Sequence, residues 1–500
     1  MSEAKNDGAR GALLMTLAKG FFVVGGLAVQ LGLPRLLHSP AEYGLYAAAT
    51  ALLAIFTNTL TQACVQTTSK HASESDENAE TSLRRSLTLA VTIGGALSLA
   101  LFASASFVAT QLLHDPLLAP LLRVLSALPV AYAIYSTAIG HLNGQRVFAR
   151  QARLDASFTL VRTTGLLAGG ALALGALGAV IGFASAAVVM ACVGLAFVGI
   201  GRPGSTIVSR AWLAFFVAIA IHQLALNGLL QLDVEILKSR VASLAIDRGI
   251  DAALAADRAS REAGLYRAAQ SVAFVPYQLI LAVTLVLFPT VARARTLGDH
   301  EGARTAVRGA LRFATIALVL VAAPVAGGGD AAIRVLLNAD YAPGGDALAI
   351  LALGQIAFTL FVVGSTAISG DGSPFVVAAS ALVGLAVTVV VAIVGIDAAG
   401  EGGARIAAAI GAAAGCVVSL SLVLALVHRR FGGAIPWITF ARGSLAAAAG
   451  FAIAHVVPHA GRVDSFGALV LGALGSLGVL AISRELGAAD AALVRRLLRR

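Results

Sequence analysis

Long apolar runs alternate with short polar breaks along most of the chain. Each run is roughly 20 residues or longer, which is enough for a helix to cross a bilayer. Hydropathy predicts about 14 such spans. They cover residues 12–37, 43–68, 86–113, 117–142, 154–176, 178–201, 212–238, 264–290, 312–328, 346–369, 374–396, 403–427, 437–457 and 465–483. An even number of spans places both chain ends on the same side of the membrane.

The basic residues of the loops indicate which side that is. With the N-terminus inside, about 22 Lys and Arg fall in cytoplasmic segments and about 9 in outer segments, a bias that orients helical membrane proteins. We therefore predict a multi-pass protein of the bacterial cytoplasmic (inner) membrane with both termini in the cytoplasm.

Composition agrees with this class of protein. The chain is 58% hydrophobic and 12% charged, with a mean hydropathy of +0.87, so it has too little polar surface to cover a soluble core. The net charge of +10 does not predict nucleic-acid binding, because the basic residues lie in alternate loops. Without metal-ligand spacing or a Gly-Lys dipeptide for a phosphate-binding loop, we expect no metal, no cofactor and no catalytic residues.

A short segment occurs twice. Residues 42–49 (EYGLYAAA) return as residues 262–269 (EAGLYRAA), and in both copies a polar turn is expected to stop at the glutamate, where an apolar span begins. Secondary transporters are often built from repeats with the substrate site between them. The repeat predicts an all-α polytopic membrane protein with two pseudo-symmetric six-helix lobes plus two C-terminal helices. The predicted parts are an N-lobe, 1–205, a C-lobe, 206–432, an appended helix pair, 433–485, and a basic cytoplasmic tail, 486–500.

The tail alternates leucine or valine with pairs of arginine. This pattern suits an amphipathic helix on an anionic membrane surface. It equally suits a simple positive flank of the last span.

Two spans carry rows of amides at helical spacing. Four residues advance a helix by about one turn, so each row lies on one face. The rows are Asn58, Gln62 and Gln66 in span two, and Gln223, Asn227, Gln231 and Glu235 in span seven, while span eight adds Gln270. Polar groups at membrane depth face protein or water rather than lipid. A hydrated cavity for a sugar fits both rows as sets, whereas a single amide is more often an interhelical hydrogen bond.

Four cations lie inside predicted spans: Lys19, Arg123, Arg162 and Arg267. A central charge costs about 3 kcal/mol to insert, so it is usually retained for a partner or a function. Lys19 and Arg267 belong to spans one and eight and are the first candidates to hold a substrate phosphate. Arg123 is a weaker candidate, and Arg162 has the alternative of pairing with Asp155.

Two acids lie near the outer end of span seven. Asp233 and Glu235 are candidates to bind a coupling cation, H⁺ or Na⁺, because a carboxylate in a dry site titrates closer to neutral pH. The plainer interpretation is a charge cluster with Lys238 and Arg240 at the membrane boundary.

Five segments resemble the bacterial polysaccharide and O-antigen flippase family of the multidrug/oligosaccharidyl-lipid/polysaccharide exporter superfamily. They are 34–47 (PRLLHSPAEYGLYA), 264–269, 287–293 (LFPTVAR), 337–342 (LNADYA) and 402–408 (GGARIAA), in the order expected for the family. The resemblance implies a two-lobed flippase whose cavity is lined mainly by helices one, two, seven and eight. It also implies a lipid-diphosphate-linked oligosaccharide as substrate.

The leading hypothesis is therefore a flippase, not an enzyme, that works by alternating access for surface polysaccharide assembly. Its expected partners are the lipid-linked oligosaccharide, a coupling cation, membrane lipids, and the polymerase and glycosyltransferases of the same process. One alternative is an ion-coupled multidrug exporter of the same superfamily. Another is a membrane glycosyltransferase, polymerase or ligase that acts on the same lipid carrier, although the longest outer segment, 239–263, has no histidine for catalysis.

Overall fold

The computed structural model describes residues 2–73, 79–172, 174–202, 210–458 and 461–487. These residues form helices and contain no β-strand. The predicted tail, 486–500, lies outside the described residues except for Leu486 and Gly487.

Sixteen α-helices follow one another in the described part of the chain. In the first half they are α1 (Ser2–Leu36), α2 (Pro40–Ala72), α3 (Ala79–Phe107), α4 (Leu118–Leu125), α5 (Leu128–Gly144), α6 (Phe148–Ala171), α7 (Gly175–Val198) and α8 (Arg210–Asp247). In the second half they are α9 (Ala252–Ala273), α10 (Val275–Thr296), α11 (His300–Gly327), α12 (Gly329–Leu336), α13 (Gly345–Gly370), α14 (Pro374–Phe431), α15 (Trp437–Val456) and α16 (Arg462–Ile482). A π-helical turn (Val108–Leu112) extends α3, and a 3₁₀ turn (Ala339–Gly344) precedes α13.

Eleven helical segments of the described chain are long and apolar enough to cross a membrane, so the protein is a multi-pass membrane protein. One of them, Phe375–Phe431, covers two predicted spans, which a kink at Gly400 (φ 68°) separates. The predicted span 154–176 corresponds to α6, and the predicted span 264–290 corresponds to the end of α9 together with α10. These two are absent from the eleven segments.

Prolines explain two breaks that hydropathy did not predict. The span 117–142 divides into α4 and α5 just before Pro129, and the span 264–290 divides into α9 and α10 just before Pro276. In both cases proline occupies the first turn of the following helix, where its missing N–H costs nothing. Pro34, Pro289 and Pro324 instead remain inside helices.

The predicted outer segment 239–263 is mostly helical. α8 continues to Asp247, and α9 begins at Ala252, ten residues before the repeated glutamate. The segment is rich in alanine, the best helix former, and most of its charged residues are exposed. The polar turn therefore stops before the glutamate only in the first copy, where the Ser39 hydroxyl accepts a hydrogen bond from the backbone N–H of Glu42.

The chain divides into two compact units, residues 1–267 with 396–404, and residues 268–395 with 405–500. In the first unit α2 packs against α5 and α8, and α6 packs against α1 and α7. The bend of α14 belongs to this unit through ion pairs of Arg240 with Asp397 and of Arg248 with Glu401.

In the second unit α11 packs against α13, α15 and α16. A buried carboxylate joins three of these helices beyond the end of α16. Glu485 accepts hydrogen bonds from Arg312 Nε (2.9 Å), Arg442 Nη1 (3.0 Å) and the Thr439 hydroxyl (2.7 Å). The C-terminal helix pair is thus an integral part of this unit.

The repeated segment has a direct structural role in the first unit. A β-carbon on Gly44 would overlap the carbonyl oxygen of Ser260, and one on Gly264 would overlap the carbonyl oxygen of Pro40. The contact is reciprocal: a β-carbon on Gly44 would lie 2.9 Å from the backbone nitrogen of Gly264, and one on Gly264 would lie 3.0 Å from that of Gly44. The two copies therefore meet backbone to backbone, as small residues allow helices to do in membranes.

We predict that Gly44→Ala and Gly264→Ala each destabilise the protein by about 1–3 kcal/mol, because the added methyl group meets backbone that can yield only if the helices separate. Apparent melting temperature in detergent is the measurement. Gly95→Ala in α3 is the matched control, since nothing lies within 4 Å of its β-position. Alanine there is expected to be neutral or stabilising. Equal effects at all three sites would refute the close contact.

The Glu485 contacts predict a pH-dependent stability. Burial alone raises the pKa of this carboxyl, but hydrogen bonds from Thr439, Arg442 and Arg312 outweigh it and hold the pKa below its ordinary value of 4.5. The stabilisation is then complete above pH 4.5 and is lost as the pH falls through the lower pKa of the folded state.

We expect Glu485→Gln to cost about 2 kcal/mol at pH 7 and progressively less in acid, measured as the difference in melting temperature between variant and wild type from pH 7 to pH 3. Glu301→Gln is the control. The Glu301 carboxylate is exposed, and its ion pair with Arg304 is long, at 3.4 Å, so it contributes little to stability. A difference in melting temperature between Glu485→Gln and wild type that does not change with pH would contradict a stabilising role of the Glu485 charge.

Candidate functional site

The two predicted amide rows meet in the first unit, where α2 packs against α8. The Asn58 amide donates to the side-chain oxygen of Asn227 at 3.1 Å, and the Asn227 amide donates to the carbonyl of Gln223 at 2.8 Å. Asn227 is buried, whereas Asn58, Gln62 and Gln66 are exposed along one face of α2. The α2 row is thus only partly used in joining helices.

Arg267 extends the polar surface from α8 to α9. Its guanidinium donates to the side-chain oxygen of Gln231 at 2.9 Å, and the arginine itself is half-buried. Gln270, one turn further along α9, is also half-buried. It belongs to the second unit, which begins at Ala268.

Tyr46 of the repeated segment lies among cations. The guanidinium groups of Arg162 on α6 and Arg267 on α9 both lie near enough to the Tyr46 hydroxyl to act on it electrostatically. Arg267, a predicted phosphate contact, and Arg162, which was not among the first candidates, therefore both interact with the same tyrosine.

Arg162 does not pair with Asp155, so that alternative was wrong. Its guanidinium carbon lies 5.8 Å from the ring centre of Phe22 and 5.6 Å from that of Phe183, which is cation–π distance. Its buried Nε has no hydrogen-bond partner in the described part of the chain. The aromatic rings stabilise the charge but leave its N–H donors available.

Asp155 pairs with Lys19 instead. The Lys19 Nζ lies 3.7 Å from the Asp155 carboxylate, which also accepts a hydrogen bond from the Tyr135 hydroxyl at 3.2 Å. The Lys19 side chain remains 54% exposed. The pair is too long for a hydrogen bond, so the ammonium group is held only loosely.

Arg123 lies apart from this group. It is exposed on α4 and donates to the Ser106 hydroxyl at 2.8 Å, and no described contact joins it to another candidate residue.

Asp233, Glu235, Lys238 and Arg240 of α8 differ in their hydrogen-bond partners. Buried Asp233 accepts a hydrogen bond from the Tyr266 hydroxyl at 2.6 Å, and Arg240 pairs with Asp397. Glu235 is buried, and neither carboxylate oxygen has a hydrogen-bond partner among the described residues. Glu235 and Lys238 lie about one turn apart on α8 and interact electrostatically, although no hydrogen bond joins them in the described chain.

Lys238 takes its partners from outside α8. Its fully buried Nζ lies 2.6 Å from the Asp115 carboxylate and also donates to the Ser260 hydroxyl, which lies 3.0 Å from the same carboxylate oxygen. Asp115 is in the loop before α4, and Ser260 is on α9. The sequence offered no signal for this triad beyond the presence of a charged residue in a short loop.

The sequence matches a known protein family. Residues 33–344 match the family described as "Polysaccharide biosynthesis protein". The chain belongs to this family. Among curated proteins, none matches this member of the polysaccharide biosynthesis family.

Solved structures show the fold of this family member. It is similar to a structure of the lipid II flippase MurJ in an inward closed conformation, with a TM-score of 0.73 and 14% identity over 98% of this chain and 100% of that one. It is also similar to an inward-facing multidrug resistance MATE family transporter, with a TM-score of 0.62 and 16% identity over 84% of this chain and 94% of that one. The chain therefore has the same fold as these two transport proteins.

The Lys238 triad gives a test of the polar packing that supports the site. Lys238→Met alone leaves a buried carboxylate without its cation, and we expect it to destabilise the protein by about 3–5 kcal/mol. Lys238→Met combined with Asp115→Asn removes both charges and should recover a large part of that loss. Melting temperatures of the single and double variants form the cycle. Additive losses would show that the two groups do not interact.

Proposed function

We propose that the protein is a flippase that moves a lipid-diphosphate-linked oligosaccharide across the cytoplasmic membrane by alternating access, for surface polysaccharide assembly. The observation that carries the proposal is that Arg162 and Arg267 both interact electrostatically with Tyr46 in the first turns of α2, the helix whose later turns carry the exposed amide row. Family membership supports the biosynthetic context, and the fold supports transport.

The amide row suits the sugar part of such a substrate. Asn58, Gln62 and Gln66 offer donors and acceptors over two turns of α2, and they are exposed on the protein surface. Amides at membrane depth are costly against lipid, so this face requires water or a polar ligand. A glycan, with hydroxyl groups on all sides, exchanges hydrogen bonds with such a face as readily as water does.

The arginines suit the diphosphate. A guanidinium group offers two parallel N–H donors to phosphate oxygens, and its charge offsets the cost of taking the diphosphate out of water. Arg162 is the stronger candidate by its surroundings, because aromatic rings hold it and no described acid neutralises it. Arg267 is oriented by Gln231, and Lys19 adds a more exposed cation on α1.

Export of small drugs, driven by an ion gradient, is the second candidate function. The observation in its favour is Glu235, a buried carboxylate without a hydrogen-bond partner in the described residues, one turn from Gln231. Such a group can bind a proton or Na⁺ in either kind of transporter. The balance of cations over acids around Tyr46 favours an anionic substrate.

In a strain that lacks the chromosomal gene, we expect Arg162→Ala combined with Arg267→Ala to reduce surface polysaccharide by about tenfold or more, because two charge-assisted contacts to phosphate are lost. Quantified polysaccharide, normalised to the amount of the protein in the membrane, is the measurement. Arg123→Ala is the matched control, since it removes a cation that lies apart from the others.

Normal polysaccharide in the double variant at normal protein level would contradict the diphosphate role. Increased drug sensitivity of the deletion strain with unchanged polysaccharide would favour the second candidate. Recovery by Arg162→Lys with Arg267→Lys would show that positive charge, rather than guanidinium geometry, carries the effect.

A further inference from the structure

A cavity of about 280 Å³ lies at one end of the helices of the second unit, outside the site described above. Its walls are the last turns of α10 and α14, the first turn of α11 and the short turn between α13 and α14. Segments of α11, α13 and α14 that are apolar enough to cross a membrane begin or end at this cavity. It therefore lies at the depth where lipid headgroups meet the protein.

Three arginines line this cavity from three different helices: Arg295, Arg304 and Arg430. Arg430 pairs with Asp371 at 3.5 Å and donates to the Ser373 hydroxyl at 3.3 Å, and Arg304 pairs with Glu301 at 3.4 Å. Both ion pairs are long and partly exposed, so each contributes little and is easily exchanged for another anion.

Arg295 differs from the other two arginines. Its guanidinium donates to the backbone carbonyl of Asp371, and no carboxylate pairs with it among the described residues. The third acid of the cavity, Asp299, is occupied as the N-cap of α11, where it accepts the backbone N–H of Gly302 at 2.8 Å. Arg295 is thus the one guanidinium group of the cavity without a direct carboxylate partner among the described residues.

Two glycines make room for these arginine head groups. A β-carbon on Gly372 (φ 88°) would overlap Nη1 of Arg295, and one on Gly433 (φ 29°) would overlap Nη2 of Arg304. Both glycines have positive φ, a backbone conformation that other residues rarely adopt. The turns therefore hold two of the three guanidinium groups in place at the cavity wall.

We propose that this cavity binds the phosphate of a phospholipid headgroup, with Arg295 and Arg304 as the main contacts. Guanidinium groups from separate helices can bind different oxygens of one phosphodiester, each through charge-assisted hydrogen bonds. A bound headgroup would join the ends of α10, α11 and α14. The site is separate from the residues of the proposed transport function, and its occupant is a lipid of the surrounding membrane.

The test is native mass spectrometry of the full-length protein in detergent, titrated with phosphatidylglycerol. For Arg295→Gln combined with Arg304→Gln we expect about tenfold weaker binding of the first lipid molecule. Arg334→Gln is the matched control, because Arg334 is a partly exposed arginine of the same unit that does not line the cavity. Melting temperatures establish that each variant is folded.

Three further arms decide the source and the chemistry of the ligand. Diacylglycerol, which lacks the phosphate, should bind at least tenfold more weakly than phosphatidylglycerol if the phosphate is recognised. Phosphatidylethanolamine should bind with a similar dependence on the two arginines, since it has the same phosphodiester. Glycerol 3-phosphate should not compete at concentrations where the lipid saturates the protein.

Unchanged lipid binding in the double variant, or equal weakening in Arg334→Gln, would overturn the proposal. Binding of diacylglycerol as tight as that of phosphatidylglycerol would overturn the role of the phosphate. Full competition by glycerol 3-phosphate would overturn the assignment to a membrane lipid and assign the cavity to a soluble phosphate ester. If the double variant fails to fold, Arg295→Lys provides the same comparison with the charge retained and the two-pronged geometry lost, and it should weaken lipid binding several-fold.

Discussion

The backbone contact between Gly44 and Gly264 fixes where α2 and α9 cross, and the polar chemistry of the first unit depends on that crossing. Tyr46 follows Gly44 by two residues, and Tyr266 and Arg267 follow Gly264 at once. With bulkier residues at the crossing, the axes of α2 and α9 would move apart, and Tyr46 of α2 would move away from Arg267 of α9. Two residues without side chains thus set the positions of several that carry the site.

Charge burial in this unit follows two different rules. Lys238 and Asp115 are fully buried and form a close ion pair, which is the arrangement expected of structural ions. Arg162 is held by aromatic rings, and Glu235 has buried oxygens without a hydrogen-bond partner in the described residues. The Arg162 and Glu235 side chains therefore still have polar atoms that can bind a ligand. The proposed transport function would use such atoms to bind an anion or a coupling ion.

Hydropathy predicted the helical class and most of the spans, because apolar runs of about 20 residues have few other stable folds. It failed at Pro129 and Pro276, where a local backbone rule divides a continuous apolar run, and at the alanine-rich start of α9, where helix propensity acts without hydrophobicity. The spacing of Asn58 and Asn227 predicted two rows that the structure joins by a hydrogen bond. The partners of Lys19 and Lys238 could not be predicted, since Asp155 and Asp115 are more than a hundred residues away, and only packing brings them close.

The reciprocal glycine contact has a consequence for the history of such a chain. When a gene doubles, the two copies are free to drift apart at most positions, because each half acquires its own neighbours. Here the carbonyl oxygen that packs against Gly44 belongs to Ser260, and the one that packs against Gly264 belongs to Pro40. Each copy therefore constrains the other at this one point, so a chain with two copies of this segment must keep glycine in both, because a side chain in either would meet the backbone of the other.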